Sequence, residues 1–185
     1  MFMYFRSLGK SVGGAFCMNA TREGEEALPF DPADLAGDGH VVFIGRIASP
    51  WSSRAECPKN MAAVRETGRP AQAIVDAEYR RGLLGLDGAS HVVLLTWLAD
   101  AGRNLIRQRP RHRTQATGTF ALRSPVRPNP IGLHVVSLLG VDEANGVLDL
   151  EGIDVLDGTP LLDIKPYFAS TDAVPEAVTS RKDGA

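Results

Sequence analysis

No apolar stretch in this chain outlasts a β-strand. The apolar run Val92–Leu95 is strand-sized, and the mostly apolar segment around it, His91–Leu98 (HVVLLTWL), shows no helical period along its length. Elsewhere glycine or proline intervenes sooner, with 19 glycines and 12 prolines spread over 185 residues. Glycine and proline end helices and open turns, so a chain cut this often builds strands joined by turns. An apolar fraction of 44% against 23% charged residues suffices for a core. A chain of this length buries roughly 70% of its unfolded surface and needs neither disulfide nor metal to fold. Cys17 and Cys57, with four histidines, supply neither a disulfide framework nor the spacing of a zinc site. No run approaches the ~20 apolar residues of a membrane-spanning helix. A cytoplasmic protein without metal or membrane partner is expected.

The chain divides into three parts. Residues 1–39 carry little pattern and read as an arm, partly disordered, or as a start-site artefact with Met18 as the true beginning. Met1–Cys17 is too short and glycine-rich for a signal-peptide core. Leu8-Gly9-Lys10-Ser11 resembles the end of a phosphate-binding loop, but Tyr4 stands where that loop needs glycine. Residues 40–168 form the domain, and 169–185 a loose tail. Within the domain, Val41–Ile47, Ala73–Ala77, His91–Leu98, Thr117–Leu122, Gly132–Val141 and Val147–Leu156 read as strands. Trp51–Arg69 reads as irregular, and Glu78–Leu86 as a short helix or helical turn closed by Gly88. Asn145-Gly146 signals a hairpin. Six strands with almost no helix predict a mainly β, mostly antiparallel barrel or sandwich.

Charge is unevenly placed. Between Ala101 and Val141 stand Arg103, Arg107, Arg109, Arg111, Arg113, Arg123 and Arg127, with no acidic residue among them. The rest of the chain holds 13 basic against 22 acidic residues, net −9. A localised basic block in an acidic chain is what a polyanion docks on. A solvated loop that keeps the protein soluble has the same composition. Both readings remain open at this level.

Three segments are dense in chemistry. In Glu56-Cys57-Pro58-Lys59-Asn60, Pro58 fixes the backbone ahead of a point charge and an amide that donates and accepts. A plain loop turn fits it too, and no His–Asp arrangement at a known spacing makes Cys57 a nucleophile. Arg123-Ser124-Pro125-Val126-Arg127-Pro128-Asn129-Pro130-Ile131-Gly132-Leu133 places three prolines within six residues, stiffening the chain around Arg123, Arg127 and Asn129. Gly132 then allows a close approach by a ligand or another backbone. In Leu156–Tyr167, Asp157-Gly158 makes a turn whose Asp157 and Thr159 are free to cap or to bind a ligand, while Asp163 and Lys165 read as a surface pair.

The segments GTFALRSPVRPNPIGL and GIDVLDGTPLLDIKPY resemble the TsaA-like (YaeB, TrmO) family of S-adenosylmethionine-dependent tRNA methyltransferases. The resemblance spans roughly Val41 to Tyr167, and SPWSSR with ECPKNM is nearest to the VirR-like branch. It implies an antiparallel β-barrel, a homodimer with S-adenosyl-L-methionine bound near the subunit interface, and tRNA as partner at its anticodon loop. The implied reaction is methylation of the N6 nitrogen of threonylcarbamoyladenosine. The implied cofactor residues are Pro58, Lys59 and Asn60, Ala99 and Asp100, Arg123, Leu133, and Asp157, Gly158, Thr159 and Pro160. Lys59-Asn60 stands where Arg-Gln is commoner in the family, and Ala99-Asp100 where His-Gln is commoner. Gly82, Gly85 and Gly88 do not have the spacing of a dinucleotide loop, so no conventional cofactor fingerprint competes. Arg107, Arg109, Arg111, Arg113 and Arg127 are the expected RNA contacts. Methyl transfer needs alignment and a dry pocket rather than a catalytic triad, and no residue identifies itself as the base that takes the nitrogen's proton. A non-catalytic S-adenosylmethionine sensor and a small-molecule methyltransferase are the alternatives.

Overall fold

The structure is a computed structural model, and it describes residues 21–35, 39–111 and 114–178. Its nine strands are β1 (Glu26–Ala27), β2 (Gly45–Ala48), β3 (Ala71–Val75), β4 (His91–Trp97), β5 (Leu105–Gln108), β6 (Thr117–Gly118), β7 (Ile131–Asp142), β8 (Val147–Leu150) and β9 (Pro160–Pro166). Six of them close a barrel in the order β2-β3-β8-β7-β4-β9, with every pairing antiparallel. Closure removes the sheet edges that would otherwise template aggregation. The mainly β, antiparallel barrel expected from the sequence is the observed fold.

Strand alternation fills the barrel. Along β4 the burial alternates, with Val92, Leu94 and Thr96 wholly inside. From β7, Gly132, His134 and Val136 point the same way. Ile47, Ala73, Val75, Leu148, Leu150 and Leu161 complete the apolar interior, and Ile153 packs with them from the chain beyond β8. Each such side chain contributes about 1.5–3 kcal/mol by leaving water.

Several boundaries differ from the expectation for local reasons. Val41–Phe43 is exposed and lies outside β2, because strand pairing begins only at Gly45, opposite Val75 and Leu161. The expected Val147–Leu156 strand stops at Leu150, after which Ile153 and Val155 are buried without a ladder. Thr117–Leu122 is a two-residue strand followed by a 3-10 turn at Thr119–Ala121. Glu78–Leu86 is a pair of 3-10 turns, Ala77–Leu83 and Leu86–Gly88. The β7–β8 connection is a hairpin, but it runs through Glu143–Gly146 and closes with a bond from Gly146 N–H to Asp142 O of 2.8 Å. There Gly146 alone takes positive φ, and Asn145 N–H is held by the Asp142 carboxylate.

Two elements depart further from the sequence reading. The supposedly irregular Trp51–Arg69 holds a helix, α1 (Met61–Thr67), with Val64 fully buried. Asn60 is its N-cap, its Oδ1 accepting the Ala63 N–H at 3.0 Å, and Gly68 closes it at φ 62°. The second is β9, where the sequence alone predicts a turn followed by a surface pair. It is the strand that shuts the barrel, between β2 and β4. Asp163 and Lys165 do form the expected pair, at 2.8 Å on the outside. A second short helix, α2 (Ala169–Asp172), follows β9.

The arginine block is not one long loop. Its β5 pairs with β6 on one side and with β1 on the other, making a small sheet beside the barrel. Residues 26–27, read as part of an arm, are thereby attached to the arginines.

Candidate functional site

At the end of the barrel where β4 leaves and β7 and β9 begin lies an open cleft of about 940 Å³. That is ample for a nucleoside-sized ligand together with part of a larger one. The segment before α1 forms one wall, with Pro58, Lys59, Asn60 and Met61. The turn after β4 forms another, with Leu98, Ala99 and Asp100. Arg123, Arg127 and Leu133 close a third side, and Thr159 and Leu156 complete it.

Eight of the residues expected at a cofactor site therefore meet there: Pro58, Lys59, Asn60, Ala99, Asp100, Arg123, Leu133 and Thr159. Asp157, Gly158 and Pro160 are not among its lining residues. Asp157 Oδ1 accepts the Ser49 N–H at 3.1 Å, and Gly158 N–H donates to Ile47 O at 2.9 Å. Thr159 donates its hydroxyl to Leu156 O at 2.7 Å. The Asp-Gly turn thus ties the cleft wall to β2 and the chain beyond it, with Asp157 Oδ1, the Gly158 N–H and the Thr159 hydroxyl engaged by protein.

The proline-rich segment is pinned by arginines rather than simply displaying them. Arg123 donates to Leu133 O at 3.0 Å, joining two expected site residues. Arg127 reaches Leu122 O at 3.4 Å, and Arg103 reaches Pro128 O at 2.6 Å while its guanidinium lies over the Trp97 ring. Beneath the same segment Gln108 is buried, donating to Thr119 Oγ1 and Val126 O. Rigidity here comes from prolines and from side chains that occupy the carbonyls the prolines leave free.

The expected RNA arginines separate into groups. Arg127 borders the cleft. Arg107 and Arg109 face carboxylates of residues 23–26: Arg107 to Glu26 at 4.0 Å, Arg109 to Glu23 at 3.5 Å. Glu25 is different in kind. Its side chain is 3% exposed and accepts the backbone N–H groups of Arg22 and Arg109 at 3.0 and 2.9 Å. Burial pushes its pKa up, but these hydrogen bonds and the two guanidinium charges outweigh that and hold it below the usual range. Arg111 is exposed, and Arg113 lies outside the described residues.

Sequence reasoning missed the polar floor of the cleft. His134 on β7 places Nδ1 2.7 Å from Asp154 Oδ1 and Nε2 3.0 Å from Thr96 Oγ1. A carboxylate only accepts, so Nδ1 carries a proton toward Asp154, and in the neutral ring Nε2 is the acceptor for the Thr96 hydroxyl. Thr96 is fully buried, His134 nearly so, and the Asp154 side chain is 19% exposed. Gly132 makes the arrangement possible. A Cβ there would collide with Thr96 Oγ1 and stand 2.5 Å from His134 Nε2. The close approach at this glycine is made within the barrel by two side chains, and Gly132 also lines the cleft. One signal for this floor was legible: a histidine at an inward position of a barrel strand must find partners.

Cys57 also lines the cleft. Burial and the nearby Asp154 charge push its thiol upward, which keeps it protonated and unsuited to nucleophilic attack. Glu151 neutralises Arg65 at 3.1 Å. Among the described residues no cluster of three or more His, Cys, Asp or Glu is placed to hold a metal, and no helix is long and apolar enough to cross a membrane.

The donor set suits a zwitterionic, sulfonium-bearing nucleoside. Lys59, Asn60 Nδ2 and Arg123 can donate; Asp100 and Asp154 can accept; Met61, Leu98, Leu133 and Leu156 offer apolar surface.

Comparison with known proteins agrees with this chemistry. The family described as tRNA-methyltransferase O N-terminal domain matches residues 46–173. The probable S-adenosyl-L-methionine-binding protein VirR of Rhizobium radiobacter is 36% identical over 146 residues, 79% of this chain and 78% of that protein. The tRNA (adenine(37)-N6)-methyltransferase of Escherichia coli K12 is 31% identical over 143 residues, 74% of this chain and 61% of the enzyme. The crystal structure of TrmO from Pseudomonas aeruginosa superposes with a TM-score of 0.63 at 34% identity, covering 78% of this chain and 63% of that one. The chain thus spans about three fifths of the length of these two methyltransferase chains.

Proposed function

The chain belongs to the tRNA-methyltransferase O family, and from that premise we propose that it is an S-adenosyl-L-methionine-dependent methyltransferase acting on N6 of adenosine-37 in tRNA, with the threonylcarbamoylated base as its substrate. The observation that carries the reading is the cleft. It gathers residues of three separate loops into one nucleoside-sized, mixed-charge site, and arginines border it where a polynucleotide would approach. The curated relatives' names supply the cofactor and the position of the base.

In this reading Lys59, Asn60, Asp100, Arg123, Leu133 and Thr159 hold the cofactor, which supplies an electrophilic methyl group on a sulfonium. Asp157-Gly158-Thr159-Pro160 buttresses that wall. Asn60, standing where the family more commonly has Gln, caps α1 through Oδ1 and leaves Nδ2 for a ligand. Lys59 keeps the charge of the commoner arginine without its planar fork. Arg127, Arg111 and, on release from their carboxylates, Arg107 and Arg109 meet RNA phosphates. The protein works as a homodimer in the cytoplasm, the partner covering the open side of the cleft.

Mass spectrometry of total tRNA nucleosides from cells with and without the gene tests this directly. The N6-methylated form of threonylcarbamoyladenosine is expected only with the gene. Equal amounts in both would exclude the substrate, and calorimetry showing S-adenosylmethionine binding without any tRNA change would favour the sensor instead.

A further inference from the structure

We infer that Asp154 is the proton acceptor of the reaction and that His134 is its positioning residue. The assignment rests on the methyltransferase reading above. Its ground is the Asp154–His134–Thr96 chain on the cleft floor.

Asp154 has one oxygen engaged and one at liberty. Oδ1 accepts from His134 Nδ1–H at 2.7 Å, and among the described residues Oδ2 has no hydrogen-bond partner. No buried side-chain oxygen or nitrogen of the described residues lacks a partner, so Oδ2 owes its freedom to contact with the cleft. The partial exposure of Asp154, set against nearly complete burial of His134 and complete burial of Thr96, gives the chain a direction. Its inner end is anchored in the barrel and its outer end faces the ligand space. The imidazole is itself locked, because Thr96 fixes Nε2 and the space above Gly132 receives the ring. A carboxylate held through one oxygen, with the other presented to a cleft, is a pre-oriented hydrogen-bond acceptor.

The chemistry calls for such a group. Transfer forms one nitrogen–carbon bond and breaks one carbon–sulfur bond, and sulfur keeps the electron pair. The incoming positive charge moves to the substrate nitrogen, which must lose its proton. That proton passes to Asp154 Oδ2 and then to water at the open mouth of the cleft. A negative carboxylate beside the nitrogen stabilises charge that develops there in the transition state. Other carriers of charge in the cleft are less suited. Asp100 lies on the exposed turn after β4, and Cys57 is held protonated.

The test uses the full chain, tRNA from a strain lacking the gene, and the variants Asp154→Asn, His134→Asn and His134→Ala. Asp154→Asn should lower kcat on the order of 100-fold with KM for tRNA little changed. Calorimetry should give the same ratio of affinities for S-adenosylmethionine and S-adenosylhomocysteine as in the wild type. His134→Ala should lower kcat in the same direction, and His134→Asn, which restores a donor near the Nδ1 position, should recover part of it. If Asp154→Asn instead weakens binding of S-adenosylmethionine relative to S-adenosylhomocysteine, Asp154 is a counter-charge to the sulfonium and the assignment is overturned. An active wild type with an equally active Asp154→Asn also overturns it, leaving the methyltransferase reading intact. A wild type that methylates no tRNA removes that reading and this assignment together.

Discussion

The cleft and the arginine-bearing sheet are both crowded with charged residues, yet they are organised by opposite physics. On the cleft floor the polar groups are linked to one another at short distances and anchored in the barrel, as in Asp154–His134–Thr96. On the sheet, Arg107 and Arg109 face Glu26 and Glu23 across 4.0 and 3.5 Å at the surface, where solvent and salt screen the attraction. The cleft stores geometry; the sheet stores charge. Glu25 is the exception that joins the two regimes, a buried carboxylate within the charged sheet. Substitutions should therefore be costly in stability at the cleft floor and at Glu25, and should act through ionic strength elsewhere on the sheet.

The largest effect is expected from Gly132→Ala. The added methyl has no free space between Thr96 and His134, and overpacking of this kind costs about 1–3 kcal/mol. Urea denaturation should show a lower midpoint with unchanged slope; a midpoint equal to wild type would mean that the floor is plastic and the contrast between the regions is false. Next is Glu25→Ala, which strands the Arg109 N–H and should cost about 1–2 kcal/mol, with faster hydrogen exchange along β5.

The same carboxylate predicts a pH dependence. Its folded pKa is depressed, so its contribution is fully present above the ordinary glutamate range and is lost as pH falls through the lower folded value. Glu151, on which burial acts upward but Arg65 and Ser137 act downward more strongly, has the same sign. Wild type should lose stability as acid is added below the ordinary glutamate range, and Glu25→Gln should flatten that loss. Asn60→Ala comes after these, costing about 1 kcal/mol through the lost cap of α1. Smallest in stability is Arg107→Ala with Arg109→Ala and Arg111→Ala. The triple variant should unfold like wild type, yet reduce the log–log salt slope of tRNA binding by about two units. An unchanged slope would make these arginines a solubilising surface.

Much of the barrel was legible because its signals are local. Glycine and proline cut the chain into strand lengths, and β4 announced itself by composition alone. The elements that were misread are those whose state depends on a distant partner. Pro160–Pro166 has a turn before it and charges along it, and only pairing with both β2 and β4 makes it a barrel strand. Residues 26–27 have no strand signature and become β1 through β5. The sequence marks Asn60 only as a candidate ligand donor, and its role as a helix cap is visible only with α1 in place.

The site divides in the same way. Pro58–Asn60, Arg123–Leu133 and the Asp-Gly turn stood out because each packs special residues into a few positions, and the strand order then brings the first two, with Thr159 beside the turn, to one cleft. The chain by itself determined the strand lengths, the rigidity of the proline segment and the excess of positive charge in one block, since all three follow from residue type and near neighbours. The tertiary structure alone decided which charges are neutralised, which turn residues face the cleft, and that Asp154 meets His134 twenty positions away. Those outcomes depend on distances between side chains remote in sequence, and such distances are set only when the barrel closes.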